Sequence, residues 1–156
     1  KSTDAGATWT KLGNGLPTGL MGRSNIAIAP SRPQTVYVFL DNRAPVANGE
    51  GGRTYVGGEV YRSDDRGSTW RKVNTDDLYP VFSVYGWKFC DVRVSPDNPE
   101  EIYILGNRAF HSTDGGRTWA TPSEPPHIRQ PNARFHVRRL ASGRILSTSR
   151  TGVRGA

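Results

Sequence analysis

Four aspartates in this 156-residue sequence stand where a carboxylate could do chemistry, and their neighbours decide which chemistry. Three share one setting, the phrase Ser-x-Asp-x-Gly-x-Thr-Trp. It is written by Ser2, Asp4, Gly6, Thr8 and Trp9, by Ser63, Asp65, Gly67, Thr69 and Trp70, and by Ser112, Asp114, Gly116, Thr118 and Trp119. A pair of carboxylates facing each other across a glycosidic bond would make a hydrolase. In this phrase, however, each acid is placed to accept hydrogen bonds from N–H groups of its own turn. The Gly supplies the left-handed backbone that a tight reversal needs. Thr and Trp then restart an extended strand, with the indole as an apolar anchor beneath the turn. Asp4, Asp65 and Asp114 therefore read as structural carboxylates. A calcium loop does not fit either, because each phrase repeats a single carboxylate and no bidentate Glu follows at fixed spacing.

The fourth is Asp91. Alternation along a strand puts Phe89, Asp91 and Arg93 on one face and Cys90, Val92 and Val94 on the other. If this is the inner strand of its unit, Asp91 and Arg93 face a ligand, and Asp91 is the one candidate catalytic carboxylate. The competing reading is an ordinary Asp–Arg pair between neighbouring strands. Tyr79, Phe82, Tyr85 and Trp87 cluster just before that strand. Aromatics in a loop can stack on sugar rings, so Tyr85 and Trp87 are further ligand-facing candidates; filling a core between units is the alternative. Cys90, the only cysteine, reads as a small buried hydrophobe, and no disulfide can form within the chain. His111, His127 and His136 form no local nucleophile signature with it. The residues suggest no metal and no cofactor. Asp41 and Asn42 read as turn residues.

The elements that must hold these side chains repeat. Ile26 to Val38 and Val92 to Ile104 follow one pattern: a β-branched strand, a Pro-x-x-Pro turn, then an aliphatic-Tyr-aliphatic strand. Tyr37 and Tyr103 are 66 residues apart, whereas Asp65 and Asp114 are 49 apart, so the first unit carries a 17-residue insertion between Asp41 and Gly58. Its Gly, Pro and Asn content reads as a long surface loop. The expected strands lie near Asn25–Ala29, Val36–Leu40, Glu59–Arg62 and Thr69–Val73, and again near Lys88–Val94, Glu101–Leu105, Ala109–His111 and Thr118–Ala120. Helical periodicity is absent. Four short strands repeated around an axis are propeller blades, so the expected fold is all-β, a partial β-propeller of about two blades and the end of a third.

Charge divides the chain at the third phrase. Residues 120–156 hold seven arginines against one acid, Glu124, and account for +6 of the net charge of +7. That tail has Phe135 as its only aromatic and lacks the stacking platform of a single-strand binder, so nucleic acid is not an expected partner. The division is residues 1–120 as blades and 121–156 as an Arg-rich, poorly ordered tail. No apolar run is long enough to span a membrane. The sequence opens inside a turn phrase without Met, which suggests a piece of a longer protein; sheet faces left uncovered would make the piece alone marginal or aggregating.

The phrase is the Asp-box, and the chain resembles the Asp-box (BNR) repeat proteins, which include sialidases, xyloglucanases, sortilin-type receptors and photosystem assembly factors. Longer stretches, Glu59 to Asp65 with Trp70 to Asn74 and Asp91 to Pro96 with Ile102 to Gly106, are similar to large bacterial sortilin-like proteins labelled glycosyl hydrolases. The resemblance implies a propeller module of a larger secreted or periplasmic protein. It would recognise carbohydrate, or a peptide or protein ligand, through a propeller face, with the remaining blades as partners. A glycoside hydrolase with carboxylates partly outside these residues is the alternative.

Overall fold

The computed structural model describes residues 1–46, 53–81, 90–106 and 109–120, together with the backbone of two strands at 135–139 and 145–149. The fold is all-β, with one short 3-10 turn at Tyr79–Val81 among the described residues. Strands β1 (Met21–Ile28), β2 (Val36–Pro45), β3 (Tyr55–Ser63) and β4 (Arg71–Lys72) form an antiparallel sheet in chain order. A second antiparallel sheet holds β5 (Asp91–Val94), β6 (Ile102–Leu105) and β7 (Ala109–Ser112). Where a fourth strand was expected, this second unit has one isolated bridge, His111 to Ala120.

Both sheets use one register. Tyr37 lies opposite Arg62 and Val36 opposite Ser63; in the second sheet Tyr103 lies opposite His111 and Ile102 opposite Ser112. Equivalent residues of the two repeats thus occupy equivalent ladder positions, because β-branched and aromatic residues pin the pleat and the Asp-box fixes the C-terminal end of the third strand.

The insertion is partly strand rather than loop. β2 runs on to Pro45 and β3 begins at Tyr55, with Asn42 paired to Gly57 and a register shift before Pro45–Tyr55. The reason lies in its flanks: Arg43 lies over the Tyr55 ring and Tyr55 meets Tyr79 in a tilted pair, so side-chain contacts hold the ribbon together past the point where its composition turns loop-like. Asp41 and Asn42, read as turn residues, are buried within β2.

The main core forms where one sheet lies on the other. Tyr37, Phe39 and Val60 of the first sheet meet Val92, Ile102 and Ile104 of the second, with Leu78, Val81 and Cys90 from the connection. A smaller cluster on the far face of the first sheet holds Val36, Leu40, Tyr61 and Trp70 under Leu12 and Leu16. These elements belong to one compact unit, Lys1–Pro122. Within Ser123–Ala156 the described backbone is a two-stranded antiparallel ribbon of β8 (Phe135–Arg139) and β9 (Ile145–Ser149). Most of the expected tail falls outside the described residues.

Candidate recognition site at the first strands

The three Asp-boxes make the same hydrogen bonds. Ser2, Ser63 and Ser112 donate through Oγ to Oδ1 of Asp4, Asp65 and Asp114 at 2.7, 2.7 and 2.8 Å. The same Oγ atoms accept from the N–H of Gly6, Gly67 and Gly116 at 2.8, 2.7 and 2.9 Å. Thr8, Thr69 and Thr118 each donate from Oγ1 to the second carboxylate oxygen at 2.6 Å. Each indole N–H donates to the Gly carbonyl three residues back. All five repeated positions are occupied in closing the turn, and the glycines sit at φ of 93°, 83° and 90°, where a side chain is strained.

This bonding fixes the protonation of the acids. The Ser2 hydroxyl and then Thr8 hold Asp4 far below the ordinary carboxylate range. Thr69 and then Ser63 do the same for Asp65. For Asp114 slight burial pushes upward, but bonds from Thr118, Ser112 and the Arg117 N–H prevail and leave it at about 2. A carboxyl that stays ionised through neutral pH and has its oxygens occupied cannot serve as a general acid.

The boxes differ in cover. Trp70 is buried under Leu12 and Leu16, and its backbone N–H donates to the Asn14 carbonyl at 2.9 Å. Trp119 packs near Val73, and its backbone N–H donates to Asp76 Oδ2 at 2.7 Å. In both cases the segment leaving the preceding box runs past the Trp of the next. Trp9 keeps the same internal bond but is 75% exposed.

The first strands of the two sheets, β1 and β5, lie side by side and border an open cleft of about 400 Å³ lined by Arg23, Asn25, Cys90, Asp91, Arg93 and Leu105. Strand alternation in β5 is as read: Val92 is buried in the core while Asp91 and Arg93 turn to the cleft. The two are paired, although along one strand and not between neighbours. Arg93 donates to Asp91 Oδ2 through Nε at 2.9 Å and lies at 2.8 Å through Nη2. A two-residue spacing on an extended strand makes this reach natural, since i and i+2 share a face. Asn25 is the repeat equivalent of Asp91, which places both at the same level of adjacent first strands. The cleft presents guanidinium and amide donors beside a carboxylate acceptor that is already bonded. That set suits hydrogen-bond recognition of a polar ligand better than proton transfer.

Beneath this edge sits a group the sequence reading passed over. Asp41 is fully buried; Arg43 holds its Oδ2 through two guanidinium nitrogens, while Oδ1 has no hydrogen-bond partner among the described residues. Burial raises the Asp41 pKa, against the pull of Arg43. Asn42 donates to Glu59 Oε2 at 2.8 Å, and Tyr61 and Lys72 bond the same carboxylate. The run Leu40-Asp41-Asn42-Arg43, one apolar residue followed by three polar ones, carries no pattern that signals this buried polar row.

Tyr79 is braced and not open: Arg53 lies over its ring at 4.9 Å, and it packs so closely on Gly57 that an added Cβ there would meet Tyr79 at 2.7 Å. Phe82, Tyr85 and Trp87 lie outside the described residues. Cys90 is buried, and burial pushes its thiol up to about 12, as expected of a small hydrophobe and not a nucleophile. His111 stacks on Tyr103 at 4.4 Å and bonds Glu101, away from Cys90 in the ladder. His127 and the side chain of His136 are outside the described residues.

The family model for the BNR/Asp-box repeat matches residues 110–121, which enclose the third box. The chain carries the BNR/Asp-box repeat. It is 29% identical to the xyloglucanase Xgh74A of Acetivibrio thermocellus over 150 residues, covering 80% of this chain and 16% of the relative. It is 33% identical to the vacuolar protein sorting/targeting protein 10 of Mycosarcoma maydis over 85 residues, or 51% of this chain and 5% of that protein. The chain thus spans a small part of each relative's length. Among solved structures, a GH74 enzyme from Niastella koreensis gives a TM-score of 0.44 at 18% identity over 67% of this chain and 14% of that one. Among the described residues no helix is long and apolar enough to cross a membrane.

Proposed function

We propose that residues 1–120 are consecutive blades of an Asp-box β-propeller within a larger glycosidase-like or sortilin-like protein, and that they recognise carbohydrate through the edge where the first strands meet. One observation carries this reading: β1 and β5, the first strands of successive units, open on a shared polar cleft built from Arg23, Asn25, Asp91 and Arg93. Side-by-side first strands are what a propeller places around its axis. Planar guanidinium and amide donors with a fixed carboxylate can pair with sugar hydroxyls or with peptide carbonyls. The similarity to a xyloglucanase puts carbohydrate first and that to a sorting protein keeps peptide second. The matching compartment is the periplasm or the outside of the cell.

Catalysis by these residues alone is not part of the proposal. The box carboxylates are committed to their turns, and Asp91 is committed to Arg93. A hydrolytic parent would need its acid and base from other blades. The test is calorimetric titration of the chain with xyloglucan oligosaccharides and a panel of plant and bacterial polysaccharides, alongside a reducing-end assay. Binding that weakens about tenfold or more in Arg93→Ala, without turnover, supports the reading; the loss corresponds to roughly 1.4 kcal/mol. Turnover abolished by Asp91→Asn would replace it with an enzyme, and affinity indifferent to Arg93→Ala would move the site elsewhere.

A further inference from the structure

Strand β1 is irregular at one point, and that point lies opposite the buried carboxylate. Met21 pairs with Asn42 and Ser24 with Leu40, so Gly22 and Arg23 together stand against the single residue Asp41. Two residues against one make a β-bulge, which re-aims a side chain that a regular ladder would hold elsewhere. The bulge is tied on both sides: the ladder resumes at Ser24, and the Arg43 backbone N–H donates to the Leu20 carbonyl at 2.9 Å.

Asp41 fills the space that the bulge leaves. A Cβ on Gly22 would strike Asp41 Oδ2 and come within 3.0 Å of its Cγ and 3.1 Å of Arg43 Nε. The carboxylate is buried and pinned by two guanidinium nitrogens, so it cannot swing clear, and glycine is needed here for room and not for a left-handed backbone. Arg43 is itself seated over the Tyr55 ring at 4.2 Å. Arg23, the second residue of the bulge, is exposed and lines the cleft with Cys90, Asp91 and Arg93. Burial is the main cause that raises the Cys90 thiol, and the charges of Arg23, Asp41 and Asp91 act on it next. The buried carboxylate and the cleft arginine are thus within electrostatic reach of one sulfur.

The repeat itself does not demand these residues. At the 66-residue offset that relates Tyr37 to Tyr103, the second unit has Lys88, Phe89 and Asn107 in the places of Gly22, Arg23 and Asp41. Glycine, arginine and carboxylate are replaced together, as parts of one device would be. We propose that Asp41 is a positioning residue of the recognition cleft: wedged against Gly22 and locked by Arg43, it holds the β1 bulge in the shape that directs Arg23 toward the ligand. The inference rests on the reading of this cleft as a carbohydrate site. A long exposed side chain loses rotamer freedom on binding, and a backbone that already aims it lowers that cost. Arg93 needs no such support, because Asp91 on its own strand holds it.

The test follows the Arg23 side chain directly. In the full 156-residue chain, the Nε–Hε NMR signals of Arg23 and Arg93 are compared without ligand, and xyloglucan oligosaccharides are then titrated by calorimetry. Asp41→Asn should shift the Arg23 signal and leave that of Arg93 in place. It should also weaken binding about twofold to tenfold, the worth of one orienting hydrogen bond. In an Arg23→Ala background the same substitution should change affinity no further, because Asp41 acts through Arg23. Arg43→Lys keeps a cation beside Asp41 but gives up the two-nitrogen hold, so it should shift the Arg23 signal even if Asp41→Asn folds poorly. A carboxylate that only stabilises the fold would lower the unfolding midpoint and leave the Arg23 signal where it was. An Arg23 signal indifferent to both variants would therefore overturn the proposal, and so would a further loss of affinity when Asp41→Asn is added to Arg23→Ala. A shifted Arg23 signal in a chain that binds no oligosaccharide would refute the carbohydrate reading and still support Asp41 as the residue that sets Arg23.

Discussion

Replacing Arg62 by Met isolates the clasp that joins the two sheets. Met keeps most of the apolar stem that packs in β3 and removes the guanidinium. That group is nearly buried and makes three kinds of contact: Nε to Asp64 Oδ1 at 2.8 Å, Nη1 to Tyr37 Oη at 3.0 Å, and Nη1 to Glu100. Breaking a fully buried ion pair costs about 3–5 kcal/mol. The discount comes from the partners, since the Asp64 and Glu100 side chains remain 39% and 36% exposed and water can take over part of their solvation. Tyr37 still has Pro99 as its acceptor. The net expectation is a loss of about 1.5–3 kcal/mol. Arg71→Met is the internal control, because Arg71 bonds the same Asp64 at 2.7 Å but is 56% exposed; its cost should be at most about 1 kcal/mol. Urea unfolding followed by tryptophan fluorescence, at concentrations below any self-association, reads both variants. Equal losses for Arg62→Met and Arg71→Met would refute the claim that the inter-sheet clasp, and not Asp64 alone, carries the energy.

Two further outcomes follow from the boxes. Gly67 has a φ of 83°, and an added Cβ would meet the Trp70 ring at 3.1 Å and Leu12 at 3.3 Å, so Gly67→Ala should cost about 1–3 kcal/mol in the same unfolding assay; a neutral result would show that the turn can relax. Acid should unfold the chain. Asp64 and Asp114 titrate near 2 in the folded state, well below an unfolded value near 3.8, and Asp4 and Asp65 titrate lower still. Between those values the unfolded chain binds more protons, so stability rises with pH and is lost as pH falls from about 4 to about 2. Buried Asp41, raised instead of lowered, works with the opposite sign. Melting temperatures that stay flat across that window would contradict the carboxylate hydrogen bonds described here.

The sequence by itself determined whatever depends on near neighbours along the chain. Ser, Asp, Gly, Thr and Trp of each box lie within eight residues and bond one another, so their spacing specifies the turn without reference to the rest of the molecule. Period-two alternation likewise placed Val92 in the core and Asp91 and Arg93 together on the other face. Tertiary structure decided what depends on distant residues. Tyr37 meets Pro99 and Arg62 meets Glu100 only because one sheet lies on the other, and no local pattern marks those partners. Asp41 became a buried carboxylate, and the described flanks of the insertion became ribbon, because contacts of Tyr55 with Arg43 and Tyr79 extended β2 and β3 beyond where turn-forming residues begin. Trp9, Trp70 and Trp119 read alike and form the same bond, yet one is exposed and one is buried. A side chain's local geometry is written in its own segment, whereas its burial depends on which other segment arrives to cover it.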